Sequence, residues 1–118
     1  MDGTMMDRKE VEISFTVEEA KYLIGIYTKE YEDWKKFGTK FEEDVQILKK
    51  AINDLSNEKL VIRESKYLNF LYSIFVSQQI LICTLLMQKE IIIFLNNLSD
   101  KYRYAFRELK EVAEDEEI

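Results

Sequence analysis

The chain reads as an all-α protein, an extended antiparallel helical hairpin with a short C-terminal helix, and three observations predict it. Proline is absent and glycine occurs only three times, so a sheet protein would lack the residues that reverse its strands. Apolar positions recur at three- and four-residue steps over most of the length, which is the period of a helix. Hydrophobic residues fill 47% of the 118 positions against 34% charged, enough for one packed domain and too much for a disordered chain. The expected limits are a flexible N-terminus over 1–10, a single helical domain over 11–113 and an acidic tail over 114–118.

Val11-Glu12-Ile13-Ser14-Phe15 is the exception to the helical period. It alternates apolar and polar residues, the signature of a short strand. Thr16-Val17-Glu18-Glu19 then has the form of a capping box, a hydroxyl acceptor three residues before a glutamate, and a helix is expected to start there. Its stripe runs Ala20, Ile24, Tyr27, Tyr31, Trp34, Gly38, Phe41, Val45, Leu48, Ile52, Leu55 without losing phase. Unbroken phase favours one helix over 17–55, continuous or kinked and about 58 Å long. Local chemistry argues for a stop instead, because Gly38 suits a helix C-terminus and Thr39-Lys40-Phe41-Glu42 repeats the capping-box pattern.

Asp54-Leu55-Ser56-Asn57 is the clearest turn, and a short turn between helices implies antiparallel neighbours. From Glu58 to Asn97 there is neither glycine nor proline, which predicts a second helix as long as the first. Within it, Ile91-Ile92-Ile93-Phe94-Leu95 has the β-branched content of a buried strand, whose partner would be Val11 to Phe15. Asn96-Asn97-Leu98-Ser99 ends that element, and Ser99 caps a final helix with Tyr102, Phe106 and Leu109 on one face.

From Tyr67 to Gln88 there is no charged residue. The length is close to that of a bilayer span, but Gln78 and Gln79 would place two amides at its midpoint, where unpaired polar groups are costly. Asn69, Ser73, Ser77, Thr84 and Gln88 form one narrow polar stripe, and the rest of the circumference is greasier than one facing stripe can cover. A second copy of the chain is the simplest cover, giving a homodimeric or larger bundle. The expected interface comprises Tyr67, Leu71, Ile74, Phe75, Gln78, Leu81 and Leu85, together with the aromatic residues Tyr31, Trp34 and Phe41. Taken with Tyr27 and Phe37, that aromatic group can be a binding hot spot or the core seam of the hairpin, and the heptad register favours the seam.

Catalytic chemistry is sparse. Histidine is absent, which removes the usual general base and metal ligand. Cys83 is a lone thiol in an apolar run, so neither a disulfide within one chain nor a thiolate zinc site can be built. No metal or cofactor is expected, and the chain is read as non-enzymatic. The rival enzyme reading holds Mg²⁺ on the carboxylates of Glu18-Glu19, Glu30, Glu32-Asp33 and Glu42-Glu43-Asp44. A net charge of −6 argues against direct nucleic-acid binding and suits a protein partner with a basic groove. The N-terminus, Met1-Asp2-Gly3-Thr4, lacks the pattern of a secretory signal, so a cytoplasmic location is expected. The functional expectation is a small inhibitor, adaptor or regulatory subunit, with a membrane-associated or immunity-type helical protein as its rival.

Overall fold

The structure, a computed structural model, describes residues 10–86 and 89–117, with the side chains of residues 39, 80–86 and 111–117 outside that description. In chain order the elements are β1 (Val11–Ser14), α1 (Val17–Lys35), a short 3-10 helix (Gly38–Phe41), α2 (Glu42–Leu55), β2 (Lys59–Ile62), α3 (Ser65–Leu86) and α4 (Lys89–Glu117). The fold is predominantly helical, as the period predicts, with one two-stranded antiparallel sheet.

Helix α1 starts where the capping box places it. Thr16 Oγ1 accepts the Glu19 N–H at 3.1 Å, and Glu19 Oε1 accepts the Thr16 N–H at 2.9 Å. Its end corrects the continuous helix expected over 17–55. The last turn closes as Lys36 N–H and Phe37 N–H donate to the carbonyls of Asp33 and Trp34. Gly38 then takes φ +69°, the left-handed conformation that glycine adopts without a side-chain penalty. Helix α2 begins after the 3-10 turn, with Phe41 rather than Thr39 at its N-cap, and packs back against α1. The hairpin is therefore α1–α2, not two helices of 17–55 and 58–97. The phase survives the corner because both helices turn the same kind of stripe inward, Ala20, Leu23 and Tyr27 from α1 and Leu48, Ala51 and Leu55 from α2.

The turn expected after Asp54 is present, but a strand follows it. Ser56 and Asn57 N–H groups donate back into the end of α2, and Glu58 takes φ 59° as the chain reverses. Lys59-Leu60-Val61-Ile62 then alternates half-buried and buried residues and pairs with β1 in the register Val11↔Ile62, Ile13↔Leu60. Strand β1 is thus real, and its partner is β2 rather than Ile91–Leu95. Those five residues lie inside α4, where Leu95 is buried and Ile92 and Ile93 face outward.

Helices α3 and α4 are likewise not the expected pieces. The long uncharged stretch forms α3 through Leu86, and α4 runs as one helix past Asn96–Ser99 and on through Glu117. Ser99 is not a cap. It sits mid-helix, buried, with its Oγ 3.4 Å from the Tyr72 hydroxyl. The acidic tail expected over 114–118 is helical through Glu117, as the end of α4. The flexible N-terminus expected over 1–10 falls outside the described residues, apart from Glu10, which is ion-paired with Arg63.

The core lies between the sheet and the helices. Antiparallel pairing puts Val11, Ile13, Leu60 and Ile62 on one face of the sheet, and all four are buried with Leu68, Leu71 and Phe75 of α3 and Leu98, Tyr102 and Ala105 of α4. Strand β1 packs on α4, and β2 on α2 and α3.

Candidate interaction surfaces

The centre of the molecule is polar at one point. Tyr27 of α1 and Tyr102 of α4 are fully buried, and their hydroxyls meet at 2.6 Å. Tyr27 also donates to the Leu71 carbonyl of α3 at 3.0 Å. The pair ties three helices together through groups that would be costly if left alone in an apolar core. Burial pushes both phenols well above their ordinary pKa, and for Tyr27 the neighbouring Tyr102 adds to the shift. Tyr67 is also pushed up by burial, and by the Asp54 carboxylate. Its hydroxyl is buried without a hydrogen-bond partner among the described residues, while Lys50 lies over its ring, 5.3 Å from the centroid. Tyr72 moves the other way, lowered by its hydrogen bond with Ser99.

These tyrosines are structural, which bears on the expected interface. Leu71, Ile74 and Phe75 lie inside the core of the single chain, because β2, α1 and α4 supply the cover that a second copy was expected to provide. Tyr67 packs half-buried at the core's margin, and Gln78 is half-buried on α3. The side chains of Leu81 and Leu85 lie outside the described residues.

The aromatic residues of the expected set come together elsewhere. Trp34 and Phe41 rings meet edge-on at 4.7 Å, and Phe37 packs against both, at 6.2 Å and 5.7 Å. The left-handed turn at Gly38 creates this corner by folding the start of α2 back onto the end of α1. Trp34 satisfies its indole N–H on Glu30 Oε2 at 2.9 Å. Trp34, Tyr31 and Phe41 are half-buried, and Phe37 is 61% exposed. The seam reading therefore holds for Tyr27, which is buried, and in part for Tyr31 and Trp34, which pack half-buried against the core, but not for Phe37. Lys35, Lys36, Lys40, Glu42 and Glu43, the corner's neighbours along the chain, are exposed and of mixed charge.

Two further apolar exposures escape the sequence pattern. Ile92 and Ile93 are uncovered on the first turns of α4, Ile93 to 51%. Tyr104, 61% exposed, stands beside β1 in a groove of ≈ 470 Å³. The lone alternation at Val11–Phe15 was a signal for this second site, since a single strand cannot stand without a partner and two strands still leave open edges.

The carboxylates considered for Mg²⁺ are dispersed. Glu19 is buried between its own cap and Lys101 Nζ, Glu30 holds Trp34, Asp33 lies 3.8 Å from Lys36, and Glu43 lies 3.3 Å from Lys66. Among the described residues no group of three or more ligating side chains is placed to hold a metal ion, and no helix is long and apolar enough to cross a membrane. Comparison with protein-family models, curated proteins and solved structures gives no match.

Proposed function

We propose that this protein is a non-enzymatic protein–protein interaction module, a small adaptor, inhibitor or regulatory subunit, whose simplest partner is a second copy of itself. The observation that carries the reading is the three-ring corner at Gly38, with Phe37 61% exposed at its apex. Burying a large apolar side chain completely stabilises by roughly 1.5–3 kcal/mol. Clustered aromatic rings flanked by charged residues also have the composition of binding hot spots. The mixed signs of Lys35, Lys36, Lys40, Glu42 and Glu43 allow two corners to face each other with opposite charges paired.

The test is light scattering over a wide concentration range with three proteins. The unaltered chain associates as its concentration rises, and Phe37→Ala stays monomeric with its thermal stability within about 0.5 kcal/mol, as expected of an exposed site. Phe75→Ala is the contrast. It removes a core ring and costs about 3–5 kcal/mol of stability, while leaving association of the folded fraction intact. A parallel pull-down from the native host with unaltered and Phe37→Ala baits asks for a different protein partner. If the chain neither associates nor retains any partner that Phe37→Ala loses, the reading fails.

A further inference from the structure

We propose that the free edge of β1 is a strand-addition site for an extended segment of a partner protein that carries alternating apolar and basic side chains. The inference is independent of the aromatic corner and starts from main-chain hydrogen bonding. Phe15 N–H donates to the Glu58 carbonyl at 2.9 Å, and the register continues as Ile13↔Leu60 and Val11↔Ile62. In an antiparallel pair, main-chain groups face the partner at every second residue. Val11, Ile13 and Phe15 therefore spend theirs on β2, and Glu12 and Ser14 turn theirs the opposite way.

The same rule turns the main-chain groups of Val61 out of β2, and there the fold answers them. Asp54 Oδ2 accepts the Val61 N–H, and Lys50 Nζ donates to the Val61 carbonyl, both at 3.3 Å. At Val61 that edge is capped by the last turns of α2. The β1 edge has no counterpart: among the described residues nothing takes up the outward groups of Glu12 and Ser14. An unpaired edge is a template for another strand.

Beside this edge lies the ≈ 470 Å³ groove, lined by all four residues of β1 and by one face of α4 that includes Lys101, Tyr104 and Ala105. No residue of β2 lines it, which places it on the unpaired side. A strand laid along β1 would point alternate side chains onto Tyr104 and Ala105 and the others outward beside Glu12. The first set meets an apolar wall. The second lies beside Glu12, which faces Lys59 Nζ at 3.8 Å. Asp100 and Glu108 add negative charge along the α4 side of the groove, whereas its one lining cation, Lys101, is held by Glu19 Oε1 at 2.5 Å. A second copy would bring the same carboxylates and a net charge of −6 to an acidic groove, so charge complementarity selects a basic partner.

The probe is a blocked six-residue peptide of alternating valine and lysine, titrated into the isotope-labelled full chain while amide signals and hydrogen exchange are followed. The expected result is that the Glu12 and Ser14 amides shift and become protected. Methylating alternate peptide nitrogens, or replacing the lysines by glutamates, weakens binding at least tenfold. Ser14→Pro deletes an outward donor without touching the β1–β2 ladder, as edge positions tolerate, and it abolishes the protection. If that variant loses its fold, Glu12→Lys serves instead, at an exposed side chain, and moves the preference toward the glutamate peptide. Absence of binding, binding indifferent to methylation, or Glu12 and Ser14 amides already protected without peptide would each overturn the proposal.

Discussion

Tyr27 and Tyr102 share a 2.6 Å hydrogen bond at the centre of the core, and among the described residues only Tyr27 has a second partner, the carbonyl of Leu71. The two hydroxyls are therefore not equivalent. In Tyr102→Phe, the Tyr27 hydroxyl keeps the Leu71 carbonyl, and the loss is one net hydrogen bond, about 1 kcal/mol. In Tyr27→Phe, the Tyr102 hydroxyl is stranded in an apolar site, and the cost rises to about 1–3 kcal/mol. Denaturant unfolding of the two variants checks the order. The double variant should lose less than the sum, because neither hydroxyl remains to be stranded. Equal losses, or the reverse order, would show that the pair is not bonded as described.

Alkaline pH should unfold the protein through the same pair. Both phenols have folded-state pKa values raised by burial above the ordinary value of 10.0. The unfolded chain releases these protons first, so their stability contribution is intact below about pH 10 and is lost as pH rises toward the folded values. The slope is about 1.4 kcal/mol per pH unit for each tyrosine in that window. Phenolate absorbance and helical circular dichroism followed together should show these residues ionising in step with loss of helix. Full ionisation with the helices intact would contradict their burial.

Gly38→Ala isolates the corner. A Cβ at that position meets nothing within 4 Å, so the penalty is conformational and comes from φ +69° alone. It should amount to about 1–2 kcal/mol in thermal or denaturant unfolding. Gly38→Asn should cost less, since asparagine tolerates this region. A neutral or stabilising alanine would indicate that α1 runs through the corner as one helix.

Much of the local structure was legible in the residues. The capping box at Thr16 and Glu19, the alternation over Val11–Phe15 and the turn after Asp54 are short-range hydrogen-bonding and periodicity signals, and each is where the sequence puts it. At Gly38 two local signals conflicted, phase against stop chemistry. The phase argument lost because a stripe keeps its rhythm whether its helix is straight or folded back on itself. Strand β2 was missed because Lys59–Ile62 has no glycine or proline at its ends, and its sequence, one lysine before three apolar residues, shows no alternation. The alternation appears only in its burial once β1 lies beside it.

What the sequence alone determined is the helical class, the starting point of α1, the first strand, and the poverty of catalytic side chains. These follow from contacts within a few residues or from composition. Which greasy surface stays wet was decided only by tertiary structure, because cover comes from elements distant in the chain. Leu71 and Phe75 look like an interface along α3 until the sheet, α1 and α4 close over them. Phe37, Tyr104 and the edge of β1 look unremarkable in the sequence until the fold leaves them facing out. Burial is a property of pairs of surfaces, and a linear pattern specifies only one member of each pair.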